Sequence, residues 1–211
     1  MGGVTVNIKI GGRAGEMLAR LSQKLGPEGQ KTLSKAAASG VAETVRAHLF
    51  RLGTTRHDTA QRLGAKPTNI IGRTAEGVAV REEAGGAAVV VPHPLFKRAF
   101  NNVRIAPVAA KALAIPVNAV SYDKAPRSFP GLFVWTRKEN RKAGDKGAAF
   151  LARAVKVGKK GSRLELLYLL RRGAVEQKQD RKLLPSDADM SRAGKQSLKT
   201  LIRRIVERRA S

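Results

Sequence analysis

Between residues 27 and 52, six apolar side chains recur every three or four positions: Leu33, Ala37, Val41, Val45, Leu49 and Leu52. That spacing puts them on one face of a helix, and a stripe of that length has to be buried against another element. The run AAASG at 36–40 narrows the helix at its middle, so a partner can come close to the backbone. Gly40 costs roughly 1 kcal/mol against alanine in a helix interior. Its presence there points to packing that needs the space. His48 lies on or near the stripe and reads as a packed or hydrogen-bonded histidine rather than a ligand.

The rest of the chain supplies surfaces for this helix. VTVNIKI at 4–10 alternates apolar and polar residues as a half-buried strand does, and Gly11-Gly12 ends it. A short helix is expected over 14–25. Gly26 closes it, and Pro27 suits the first turn of the long helix. After Gly53 the sequence is polar and turn-rich, with at most one or two helical turns over 58–63. Residues 77–83 and 87–91, separated by Ala84-Gly85-Gly86, carry a hairpin signal. Val103, Ile105 and Val108 begin an extended segment leading toward Leu113.

Residues 111–138 hold the only tryptophan, Trp135, together with Tyr122, Phe129, Phe133 and three of the nine prolines, in a chain with 4% aromatics. The pattern is a strand at 113–117, an irregular crossover at 118–131 and a second strand at 132–137. Pro116 confines the first strand to a strand end, a bulge or an edge. Val120, Tyr122 and Phe129 provide apolar area to order the crossover. Segments 149–157 and 163–170 complete a three-stranded meander with 132–137. Leu183-Leu184-Pro185 forms a hydrophobic hook, and Ser186 or Asp187 caps a final helix reaching about residue 208. Met190, Ala193, Leu198, Leu201, Ile202 and Ile205 make its apolar face. Its other face and end are basic: Arg192, Lys195, Lys199, Arg203, Arg204, Arg208 and Arg209. The expected fold is a single α+β domain spanning 1–211, with a mixed, mainly antiparallel sheet packed against a long N-terminal and a C-terminal helix.

Charge narrows the function. The chain carries 41 Lys+Arg against 16 Asp+Glu, net +25, a field that favours nucleic acid or acidic protein partners. Residues 1–100 hold 15 basic and 7 acidic side chains, and residues 101–211 hold 26 and 9. Much of the excess falls in the turns of the meander, which make Arg137, Lys138, Arg141, Lys142, Lys146, Lys159, Lys160 and Arg163 the candidate contacts to a partner or to DNA backbone. These loops lack interleaved aromatics, so they offer no stacking platform for single strands. Cysteine is absent, which removes disulfides, thiolate nucleophiles and cysteine metal sites. No apolar run approaches the roughly 18 residues of a membrane span, and MGGVTVNIKI has no signal-like core, so a cytosol-like site of synthesis is expected. The three histidines are far apart, the carboxylates are scattered, and no phosphate-binding loop spacing occurs. Arg56-His57-Asp58 is a triplet that chance supplies. No enzyme, metal or cofactor is expected.

The order of these pieces resembles the virion-morphogenesis and tail-completion proteins of tailed phages, including minor tail proteins of the Z type. The resemblance is carried by Ala112-Leu113-Ala114-Ile115-Pro116, the crossover from Tyr122 to Phe133, the LLYLL strand, and Leu184-Pro185-Ser186-Asp187 before the last helix. Many members carry a Gly/Trp-containing segment after the long helix, where this chain has HLFRLGTTRHDTAQRLGAKPTNIIGR. The resemblance implies a structural virion protein without catalytic residues, made in the host cytoplasm. It would assemble as multiple copies, with other tail or connector proteins as partners, at the tail or head–tail junction. The basic loops would then face acidic neighbours or DNA in the channel. The alternative is a sequence-independent nucleic-acid-binding protein that contacts backbone through the same loops. A toxin-like or nuclease enzyme is a weaker third option.

Overall fold

The computed structural model describes residues 4–6, 13–84, 86–136, 148–157 and 161–210, with side chains described for 26–84, 86–136, 148–156 and 161–208. In chain order the elements are β1 (Val4–Val6), α1 (Arg13–Thr55), α2 (Asp58–Leu63), α3 (Ile70–Glu76), β2 (Ala79–Glu83), β3 (Gly86–Val91), β4 (Val103–Ile105), β5 (Leu113–Pro116), β6 (Phe133–Thr136), β7 (Ala149–Val157), β8 (Gly161–Arg171), β9 (Val175–Gln177) and α4 (Asp187–Ala210). The fold is α+β, with every strand pair antiparallel.

Where one domain was expected over 1–211, the backbone groups into two compact units. The first comprises Met1–Arg56, Asn69–Asn102 and Lys178–Ser211; the second comprises His57–Thr68 and Val103–Gln177.

In the first unit, α1 is two helices joined at Gly26, whose φ of 67° and ψ of −176° are non-helical. A positive φ is strained for any residue with a Cβ, and Pro27 then starts the longer helix where its missing N–H costs nothing. Sheet order is β1-β3-β2, so the valine-rich β3 is central. Val41, Val45 and Leu49 of α1 are at most 1% exposed and meet Val89 and Val91 of β3, with Phe96 from the turn that follows. Leu183, Leu184 and Met190 close the same core, so the expected hook is a core element. Ser186, not Asp187, caps α4: its Oγ accepts from the Asp189 amide at 3.2 Å and donates to the Asp189 carboxylate at 2.6 Å. This is a serine N-cap whose hydroxyl is oriented by the acid three residues on.

The small waist of α1 has the use expected of it. A Cβ on Gly40 would stand 2.7 Å from both the Ala193 carbonyl oxygen and Ser197 Cβ of α4. Gly194 faces α1 in turn: a Cβ on it would meet Val41 Cγ2 at 3.4 Å and the Ala37 carbonyl oxygen at 3.6 Å. Ser197 Oγ fastens the crossing by donating to the Ala36 carbonyl at 2.7 Å. His48 is hydrogen-bonded, as expected: its Nε2 meets the Lys182 carbonyl at 3.0 Å. Arg51 reaches its Nδ1 at 3.2 Å, and a guanidinium only donates, so the ring's proton sits on Nε2.

In the second unit, sheet order is β5-β8-β7-β6. The expected meander is present, and Pro116 ends the edge strand β5, where its missing N–H breaks no ladder. Pairing shifts between Leu151–Tyr168 and Ala152–Leu166, which leaves Leu167 as an extra residue in β8. The crossover uses the backbone groups freed by this bulge: the Val117 amide donates to the Leu167 carbonyl at 3.0 Å, and Asn118 Nδ2 donates to the Leu166 carbonyl at 2.8 Å. Phe129 then drops onto Tyr168, edge to face at 6.0 Å, and the Tyr168 hydroxyl donates to the Lys124 carbonyl at 2.8 Å.

Several expectations need correcting. α3 falls in the stretch read as turns; its interior Gly72 hides it from propensity, and close packing on α1 near Gly53 supports it. Val108 does not lead an extended segment to Leu113: it is 98% exposed, and β4 instead pairs with β9, a strand not anticipated. Val120 contributes little to ordering the crossover, being exposed. The outer parts of two expected strands, 7–10 and 137, lie outside the described residues.

Candidate functional site

Of the basic residues singled out from the sequence, Arg137, Lys138, Arg141, Lys142, Lys146, Lys159 and Lys160 lie outside the described residues. Arg163 is described. It stands exposed on β8 opposite Val155 of β7. Two positions along, Glu165 is bound by Arg153 Nε at 2.7 Å across the same strand pair. Arg153 also lies over the Phe129 ring at 5.4 Å, with Lys124 Nζ at 5.7 Å. These two cations cover an aromatic edge of the core and hold the crossover down; their role is architectural.

Two other surfaces have the features of sites. The first is a face of the four-stranded sheet. Alternation along the strands puts Ile115, Leu169, Phe150 and Trp135 in one row, each directly opposite the next. Trp135 and Phe150 touch at 6.0 Å between ring centroids. All four are half-buried. On the same face Phe133 is 43% and Leu164 39% exposed. The opposite face carries Tyr168, 1% exposed beneath the crossover. The crossover therefore covers that face around Tyr168 but not at its ends, where Val134 is 61% and Val155 36% exposed, while the other face keeps large aromatic and aliphatic side chains within reach of solvent.

The second surface runs along the crossing of α1 and α4 in the first unit. Two adjoining depressions share Ala193 and Gln196 in their lining. The shared furrow has small residues on its floor, among them Ala36, Gly40 and Ala47, and cations at its edges, among them Arg51, Arg192 and Arg204. Beside it Arg192, Lys195, Lys199 and Arg203 form one stripe along α4, all exposed. Arg192 contacts Asp189 at 3.4 Å. The basic face of α4 was legible in the sequence; the furrow was not, because its other wall comes from residues about 150 positions earlier.

Elsewhere the ionised groups are structural. Burial pushes the Asp180 carboxyl up, but the hydrogen bond and charge of Arg56, the Lys182 amide and the charge of Arg98 together outweigh it and hold the group below its ordinary value. Burial alone raises the Tyr168 hydroxyl, which stays a neutral donor. Among the described residues no group of three His, Asp or Glu side chains is placed to hold a metal ion, and no described helix is long and apolar enough to cross a membrane.

Compared with protein-family models, curated proteins and solved structures, the chain gives no match.

Proposed function

We propose that this protein is a structural subunit of a tailed-phage virion, assembling in multiple copies at the proximal tail or head–tail junction to complete the tail. The reading begins in the resemblance of 112–133, LLYLL and 184–187 to tail-completion proteins. The observation that carries it is the half-buried apolar row Ile115, Leu169, Phe150 and Trp135, with Phe133 and Leu164 exposed beside it. Monomeric proteins seldom leave so contiguous an apolar area near solvent, and such a patch marks contact with another protein. Copies that each carry net +25 repel one another. Their association therefore draws on apolar burial and on acidic neighbours, and the sheet face supplies the first of these. The basic residues at 137–146 and at 159, 160 and 163 face the acidic neighbours or the DNA of the channel. The chain acts without catalytic residues or a cofactor.

Electron microscopy of particles assembled without the protein provides the test. Filled heads and tails that fail to join, or tails that end irregularly, are expected. Normal heads joined to normal tails would rule the reading out.

A further inference from the structure

We infer that the cationic stripe and furrow of α4 form a binding surface for the phosphate backbone of double-stranded DNA, made of residues other than those of the basic turns. Arg192, Lys195, Lys199 and Arg203 recur at intervals of three, four and four residues. At about 1.5 Å of rise per residue they span roughly 16 Å of one helix face. From residue 190 to 204 the helix has five basic side chains and no acidic one. Lys195, Lys199 and Arg203 have no ion pair among the described residues, so their charge is not spent inside the protein. Cations in the last turn of a helix are ordinary complements to its dipole. Three of these four lie well before that turn, so the dipole does not account for them.

The furrow decides between kinds of partner. A docked amphipathic helix or peptide needs apolar pockets at helical spacing. Here the lining is mostly Ala, Gly, Ser, Thr, Gln and Arg, with His48, Pro185 and Asp189 at one end and Leu201 the one large aliphatic residue; Asp189, the one carboxylate, already contacts Arg192 at 3.4 Å. Single strands call for aromatic platforms; no Phe, Tyr or Trp lines these depressions, and the one ring there, His48, is held by the Lys182 carbonyl and Arg51. What remains is recognition by charge and by donors such as Gln196, which is how phosphates are held. A duplex presents about one phosphate per 1.7 Å of axis, enough to engage the whole stripe in any register and without regard to sequence. The surface is also rigid, because the close contact of Gly40 with Ala193 and Ser197 fixes α4 on α1. Binding therefore orders only side chains.

The inference does not rest on the virion reading, since purified protein suffices to test it. Binding of the full chain to a 30-base-pair duplex of arbitrary sequence, titrated with salt, is compared with that of the triple variant K195Q/K199Q/R203Q. Each lost phosphate contact lowers the slope of log K against log salt by about 0.9, so the slope should fall by about 2.7. Affinity at 0.1 M salt should drop on the order of 10²-fold. A control variant, R62Q/K66Q/K111Q, makes the same change of net charge at exposed positions of the second unit and should move the slope by less than one. Unchanged helical circular dichroism in both variants excludes misfolding as the cause. The inference is overturned by absent duplex binding at low salt, by a triple variant that binds as the parent does, or by a control that loses as much. Equal affinity for a 30-nucleotide single strand overturns the assignment to duplex.

Discussion

The two units solve the problem of covering a sheet differently. In the first, β1-β3-β2 is covered by a long helix, and Val41, Val45, Leu49, Val89, Val91 and Phe96 all fall to 1% exposure or less. In the second, a four-stranded sheet is covered in part on one face by an irregular crossover, and its buried cluster is Phe129, Leu167 and Tyr168. A helix lays a continuous apolar stripe on its sheet, whereas a loop delivers one or two side chains at fixed points. The result is a closed core in one unit and, in the other, a face still able to bury area against something else. The apolar side chains that remain exposed on this sheet are the physical trace of that difference.

If the second unit hangs on so few anchors, removing one should be the most damaging single change. Tyr168→Ala deletes both the ring beneath Phe129 and the hydroxyl on Lys124, and should cost about 3–5 kcal/mol; Tyr168→Phe should cost about 1 kcal/mol. Trp135 is the only tryptophan and belongs to this unit, so urea unfolding followed by its fluorescence reads the loss. A Tyr168→Ala protein with an unshifted midpoint would mean that the crossover is held by something other than this pair.

In the first unit the sensitive point is a contact rather than a large side chain. Gly40→Val recovers a little helix propensity but drives a Cβ into the Ala193 carbonyl and Ser197. A net loss of about 1–3 kcal/mol is expected, seen as a lower thermal midpoint by circular dichroism at 222 nm, with a smaller displacement of the Trp135 transition. Equal displacement of both signals would show that the two cores melt as one.

Smaller still, Ser186→Ala removes the cap of α4 and should cost about 1 kcal/mol, with Ser186→Asp retaining most of it. Asp180 gives the weakest effect and the one that depends on pH. Its folded pKa lies below the ordinary value of 3.8, so the Arg56–Asp180 pair contributes fully above that value. The contribution is lost as pH falls through the lowered pKa. Asp180→Asn should therefore be less stable than the parent at neutral pH and should show a shallower loss of stability below about pH 4. Parallel acid profiles for the two proteins would refute the assignment.

Much of this architecture could be read before any coordinates. The stripe from Leu33 to Leu52, the break at Gly26-Pro27, the hairpin around 84–86, the meander and the cap at Ser186 are encoded by neighbours within a few residues, where periodicity and turn chemistry act. Gly40 was legible as a space that packing required, though not as a space for Ala193 and Ser197. What failed to show had a distant cause. α3 contains a glycine that propensity penalises, and its support comes from α1; β4 and β9 are three residues each and exist only as a pair about seventy positions apart. The bulge at Leu167 and the anchoring of Asn118 to it left no local signature either. The charges divided in the same way. Their number and the basic face of α4 were set by the sequence, because composition and helical spacing are local properties. Whether a cation meets a carboxylate, an aromatic ring or open solvent was decided by tertiary structure, as Arg56, Arg153 and Lys199 show in turn. The sequence by itself determined the elements and the sign of the field. The tertiary structure decided which apolar face stayed open and where the unspent cations gathered, because both follow from packing between residues far apart in the chain.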